Sequence, residues 1–183
     1  RSHPRRAARR ARGVSAYGYR EAIEADAGAL AAFARASWVA TFGTLYPPED
    51  LNAYLALNFS AEIQRVQIAT PGESYLLAFD GEEIVGYCRM GAVDMPVDAA
   101  GAVELHRLYV HERVKGKGVA AALMDQAITW AKARQARAIY LSVWENNPRA
   151  QAFYRRYGFE DHSEWSFMVG SVADRDLIWK LNL

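Results

Sequence analysis

Cysteine is nearly missing from this chain: Cys88 stands alone among 183 residues. One thiol closes no disulfide and builds no cysteine-based metal site within the chain, so no metal is expected. Its setting in "EIVGYCRMGA" reads as a small buried apolar side chain rather than a catalytic nucleophile. Long apolar runs are missing as well. Nothing approaches the ~18 to 20 residues that a membrane helix needs, and the arginine-rich start lacks the apolar stretch of a secretory signal. The expectation is a soluble cytoplasmic protein without a membrane partner. Beyond the first residues there are no internal repeats or low-complexity segments, and 183 residues, 51% of them apolar, suffice for one core of ordinary domain size.

Acid is missing from residues 1–14, "RSHPRRAARRARGV", which hold six of the 22 basic residues. The remaining 16 bases face 21 acids, so the body is mildly acidic although the net charge is +1. Such an arm either binds an anionic partner such as nucleic acid or is a disordered tail. No helix-turn-helix or zinc pattern supports the first reading, so the expected organisation is a disordered basic arm over 1–14 and one domain over 15–183.

"YGYREAI" reads as a short strand, and Asp26 as the cap of an alanine-rich helix from Ala27 to Phe42. Pro48, followed by Glu49 and Asp50, suits the first turn of a second helix reaching Phe59, and "SAEIQRVQIA" adds a third. Two β-like runs in "SYLLAFDGEEIVGYCRMG" flank Asp80-Gly81, a strong hairpin signal. In "AVELHRLYV" the large apolar residues Val103, Leu105, Leu108 and Val110 change parity halfway. Either a β-bulge near His106 or Arg107 restores the alternation, or the strand is buried on both faces. From Gly118 onward Ala121, Leu123, Met124, Ala127, Ile128 and Ala131 fall at helical spacing, opposite Asp125, Gln126, Lys132 and Arg134. "AIYLSVW" is then a buried strand, "NNPRAQAFYRRYGF" a helix stopped at Gly158, and the remainder two further strands. The order is mixed α/β.

The glycines of "RVKGKG" sit where the helix after Gly118 begins. A helix start exposes unpaired N–H groups at the positive end of its dipole, and glycines let a ligand approach them with no Cβ in the way, so the segment reads as a phosphate cradle. It has neither the "GxxxxGK[ST]" spacing of a nucleotide-hydrolysing loop nor the "GxGxxG" of a dinucleotide fold. An ordinary glycine-rich helix entry would look the same.

"ELHRLYV", "RVKGKGVAAALM" and "LSVWENNPRAQAFYRRYGF", in that order, resemble the acyl-CoA-binding core of the GNAT superfamily of N-acetyltransferases, over about residues 75–160. The resemblance implies an α/β (α+β) GNAT fold: a mixed central sheet of about seven strands, helices on both faces, and a splayed, bulged fourth strand. It implies acetyl-CoA as co-substrate. The family's "[QR]xxGx[GA]" loop, here Arg113, Val114, Lys115, Gly116, Lys117, Gly118, Val119 and Ala120, would hold the pyrophosphate. The backbone of Leu108, Tyr109 and Val110 would line the pantetheine slot. Tyr154 matches the family tyrosine near the thioester sulfur, and Asn147 matches the asparagine on the pantetheine arm while also reading as an N-cap before Pro148. "TFGTLYPPEDLNAYL", "VWENN" and "SFMVGSVADRDLIWKL" look like the PaiA-type spermidine/spermine N-acetyltransferases.

The implied reaction moves acetyl from acetyl-CoA to a primary amine, a polyamine such as spermidine or spermine, by direct attack in a ternary complex. An amine with a pKa of ~10.4 is charged at neutral pH, so a base or proton relay is needed. Glu104 occupies the strand position where some family members carry that base; His106 competes, and ordered water is the third choice. A thiol is a stronger acid than a phenol, so Tyr154 would act by coupled transfer or hydrogen bonding. Thr41, Phe42, Tyr46, Trp144, Glu145 and Trp165 would border the acceptor cleft, where aromatic faces and carboxylates both suit a cation. Arg149 and Arg155 read as solvated helix residues within reach of phosphates. Two other functions compete: a protein N-terminal or lysine acetyltransferase, and an acetyl-CoA-sensing regulator whose arm binds nucleic acid. The acceptor and a homodimer are left open.

Overall fold

The computed structural model describes residues 17–183, and the basic arm lies outside them. Strand β1 (Gly18–Glu21) leads through a 3-10 turn into helices α1 (Ala27–Phe42), α2 (Pro48–Asn58) and α3 (Ala61–Ala69). Strands β2 (Ser74–Asp80) and β3 (Glu83–Gly91) form a hairpin; β4 (Ala102–Val110) precedes α4 (Val119–Ala133), and β5 (Ala138–Trp144) precedes α5 (Pro148–Arg156). Strands β6 (Glu160–Val169) and β7 (Val172–Asn182) follow, and the seven-stranded sheet has the order β1-β2-β3-β4-β5-β7-β6. Every neighbouring pair is antiparallel except β4–β5. None of the helices among the described residues is long and apolar enough to cross a membrane.

Local chemistry sets the element ends. Pro48 opens α2 with Glu49 and Asp50 in its first turn, where the helix dipole favours acids. Gly81, at φ 62°, makes the β2–β3 turn, and Gly158, at φ 87°, ends α5. Asp26 departs from its expected role. A 3-10 turn over Glu24–Asp26 runs straight into α1, so Asp26 already has helical dihedrals and makes no side-chain cap. Its carboxylate turns back instead, accepting from Arg20 at 2.7 and 2.9 Å and from the Ile23 N–H at 2.8 Å.

Helices cover both faces of the sheet, and β2 accordingly buries five successive residues, Ser74 to Ala78. On one face Leu30, Ala34 and Trp38 of α1 and Leu55 of α2 pack on Tyr75, Leu77 and Tyr87. On the other, Leu123, Met124 and Ala127 of α4 pack on Leu76, Cys88, Leu105, Ile139 and Leu141. Each fully buried large side chain contributes about 1.5–3 kcal/mol.

The parity break in β4 is a bulge. Pairing with β3 runs Arg89↔Arg107 and then Met90↔Leu105, which leaves His106 as the extra residue. Val103, Leu105, Leu108 and Val110 thereby all face α4, while Tyr109 faces α1 and α2.

Candidate active site

The parallel pairing of β4 with β5 holds for four residues on each strand, Ala102–Leu105 against Ala138–Leu141. Past that point β4 stays with β3 as far as Val110, and β5 stays with β7 as far as Trp144. The two central strands therefore part, opening a wedge in the middle of the sheet. The backbone of Leu108, Tyr109 and Val110 forms one bank, and the end of β5 with the start of α5 forms the other.

At the mouth of the wedge lies the loop between β4 and α4. Gly116 and Gly118 have φ of 76° and 85°, and a Cβ built on either would meet nothing within 4 Å. Both positions need the left-handed backbone, and both face open space. The helical ladder of α4 begins with the Ala122 N–H bonded to the Gly118 carbonyl, so the N–H groups of Val119, Ala120 and Ala121 precede it. This is a place where an oxyanion fits. Across the opening, exposed Arg149 at the start of α5 is near enough to help hold the Glu112 carboxyl below its usual range, after the larger effect of Lys115.

Where the strands part, Glu104 and His106 lie together. Glu104 is 6% exposed; its Oε2 accepts the Asp94 N–H at 2.8 Å and its Oε1 lies 3.0 Å from His106 Nδ1. On the same face of the sheet, Asp174 and Asp176 project from alternate positions of β7. Asp174 accepts from the Tyr46 hydroxyl, Asp176 accepts from Ser142 Oγ, and Ser142 Oγ accepts from Trp165 Nε1 at 3.1 Å. Arg175, between them, pairs with Glu145 and Glu164, so among the described residues neither aspartate is ion-paired. Burial raises the Asp176 carboxyl above its ordinary range against the Ser142 hydrogen bond, and the charges of Asp174 and Glu145 add to it. Phe42 and Trp144 stack edge to face at 6.0 Å nearby.

The model of the acetyltransferase (GNAT) family matches residues 29–159. The chain belongs to the GNAT family. An uncharacterized N-acetyltransferase of Lactobacillus delbrueckii subsp. lactis is 30% identical over 161 residues, covering 86% of this chain and 92% of that one. A spermine/spermidine N(1)-acetyltransferase of Bacillus subtilis is 35% identical over 78 residues, 42% of this chain and 51% of its own. Among solved structures, the PaiA N-acetyltransferase of Thermoplasma acidophilum in complex with coenzyme A superposes with a TM-score of 0.75, at 22% identity, covering 91% of this chain and 99% of the other. The protein is thus an acyl-CoA-dependent N-acetyltransferase with the GNAT fold.

In this GNAT enzyme the side chains named from sequence sort into three groups. Asn147 caps α5, its Oδ1 accepting the Ala150 N–H at 3.2 Å, and Tyr154 lies about two turns further along the helix, its ring against Phe153 at 5.5 Å and Phe159 at 5.8 Å. Burial, then the neighbouring Cys88, pushes the Tyr154 phenol well above its usual range, so it stays neutral and offers a proton only as a hydrogen-bond donor. Arg113 turns away from the loop it begins and binds Asp80 at 2.9 Å and Glu83 at 2.6 Å, tying that loop to the β2–β3 turn. Lys115 pairs with Glu112, so the loop presents backbone more than cations. Of the residues expected on the acceptor side, Phe42 meets Trp144, Tyr46 reaches Asp174 and Trp165 reaches Ser142, whereas Glu145 is taken by Arg175 and Thr41 spends its hydroxyl on the Ser37 carbonyl at 3.0 Å. Arg155 lies over Trp179 at 4.9 Å.

Three residues of this region carry charge that the sequence reading did not assign. Asp174 and Asp176 alternate in "ADRDL", which places them on one strand face without saying which. Arg107, beside the bulge, lies over the Phe59 ring at 4.3 Å with its Nη1 buried and without a hydrogen-bond partner.

Proposed function

We propose that this enzyme acetylates a primary amine of a polyamine such as spermidine or spermine, with acetyl-CoA as donor. The observation that carries it is the pair Asp174 and Asp176: two carboxylates that pair with no cation among the described residues, set among Tyr46, Trp144 and Trp165, with Asp176 raised first by burial and then by the charges of Asp174 and Glu145. A distal ammonium group offsets those charges and gains the aromatic faces. The partial match to the Bacillus subtilis spermine/spermidine N(1)-acetyltransferase supports the same acceptor class.

In this reading the N–H groups of Gly116, Gly118, Val119 and Ala120 hold the pyrophosphate, the Lys117 N–H being bonded to the Val114 carbonyl, and the bank of β4 at Leu108–Val110, with Asn147 opposite, takes the pantetheine arm. Tyr154, kept neutral by burial, hydrogen-bonds to the departing sulfur. The acceptor enters from the side of α1 and α2, with its distal cation at Asp176 and its free amine at the parting of the strands.

The test is a panel of spermidine, spermine, monoamines, and peptides with free N-termini or lysines, followed by thiol release from acetyl-CoA. Polyamines should give the highest kcat/KM. Asp176→Asn should raise their KM about 10-fold, the worth of one charge-assisted contact, and leave the acetyl-CoA KM unchanged. Peptides acetylated better than every polyamine would reject the reading in favour of a protein acetyltransferase.

A further inference from the structure

His106 is the bulged residue of β4, one position past the last pair that β4 makes with β5. Its side chain is only 8% exposed. Glu104 Oε1 lies 3.0 Å from Nδ1, and a carboxylate oxygen there favours the neutral ring with its proton on Nδ1, which leaves a lone pair on Nε2. That nitrogen is buried and meets no hydrogen-bond partner among the described residues. An unsatisfied buried acceptor carries a free-energy cost, and it persists most readily where a partner arrives from outside. Glu104 is placed differently. One of its oxygens accepts the Asp94 N–H and the other lies against the ring, so both already have partners within the protein, whereas Nε2 has none among the described residues.

We propose that His106 Nε2 is the base of the acetyl transfer and that Glu104 is the residue that positions it; the assignment rests on the amine-acetylation reading above. The neutral amine attacks the thioester carbonyl carbon, the C–N bond forms, and an N–H proton passes to Nε2. The C–S bond then breaks, the sulfur leaves as thiolate, and the proton held on Nε2 passes through water to the sulfur, which restores the neutral imidazole. Glu104 fixes the tautomer and steadies the imidazolium, and its anchor on the Asp94 amide fixes the carboxylate in turn. The carboxylates facing the ring are Glu104, and Asp94 from the β3–β4 loop at 4.0 Å; the Arg107 guanidinium lies beyond, over Phe59.

The test compares His106→Asn, Glu104→Gln and the double variant across pH at saturating acetyl-CoA. His106→Asn should lose about 10²- to 10⁴-fold in kcat together with the acid limb of the profile, at unchanged coenzyme A affinity. Glu104→Gln should lose about 10-fold and keep the limb. The double variant should be no worse than His106→Asn. A limb abolished by Glu104→Gln and kept by His106→Asn makes Glu104 the base and overturns the proposal. Independently of any variant, nitrogen NMR of the unliganded protein should show His106 as the Nδ1–H tautomer; an Nε2–H tautomer overturns it as well. Wild-type turnover with a fully active His106→Asn sinks this assignment alone, whereas no turnover of any amine sinks the amine reading with it.

Discussion

Replacing Gly118 with alanine adds one methyl group at a backbone position with φ +85°, where no atom lies within 4 Å of the new Cβ. The unliganded protein therefore meets no clash, and the cost is conformational: about 1–2 kcal/mol for an L-residue held in the left-handed region. For a chain of this size that lowers Tm by about 2–8 °C. Binding is affected separately, because the methyl group occupies space in front of the first N–H groups of α4. Losing one N–H contact to a charged phosphate, about 1.5–3 kcal/mol, raises the coenzyme A Kd about 10- to 100-fold. Gly72→Ala is the control, since it has φ +88°, nothing within 4 Å, and a place in the turn between α3 and β2. Both variants should melt lower by similar amounts, and only Gly118→Ala should bind coenzyme A weakly. Thermal melts and titration calorimetry with coenzyme A read the two effects apart. A Gly118→Ala protein that melts lower yet binds coenzyme A like the wild type would refute the cradle.

Tyr154→Phe keeps the ring against Phe153 and Phe159 and removes only the hydroxyl, so kcat should fall about 10- to 1000-fold with coenzyme A affinity unchanged; a fully active variant removes Tyr154 from the chemistry. Cys88 is 1% exposed, and burial, aided by the Glu21 charge, pushes its thiol up to about 12. At pH 8 only about one molecule in 10⁴ carries the thiolate, so native protein should resist iodoacetamide and urea-unfolded protein should take one label. Rapid labelling of the native protein at pH 8 would contradict that burial.

Elements were legible from sequence where their chemistry is local. Pro48 with its acids, Asp80-Gly81, and Asn147 before Pro148 each act within a few residues, and all stand where their patterns put them. The bulge was legible as one of two readings for the same reason, because its parity break lies inside the nine residues of β4, and the β3 register decides between them. Asp26 was misread because the cap it would have made depends on Arg20 in the preceding strand, whose guanidinium claims the carboxylate. The acceptor side was least legible. Tyr46 and Asp174 are 128 positions apart, and the Ser142 hydroxyl that joins Trp165 to Asp176 comes from a third strand. No local pattern announces a contact of that kind.

That difference follows from how the two halves of the wedge are built. The proposed donor side rests on backbone: a helix start, two left-handed glycines and the bank of β4 past Leu105, features that a short stretch of sequence must encode in one place. The family match over residues 29–159 contains all of them and ends before β6. The proposed acceptor side rests on side chains from α1, the α1–α2 loop, β5, β6 and β7, and its two carboxylates, Asp174 and Asp176, which form no ion pair among the described residues, lie beyond the matched segment. Acceptor preference can therefore change by substitution on β7 without disturbing the cradle, and the carboxylate pair, rather than family membership, is the feature that argues for a polycation. Neutralising both aspartates should accordingly shift preference toward monoamines while coenzyme A binds as before, since nothing at Gly116 or Gly118 depends on them.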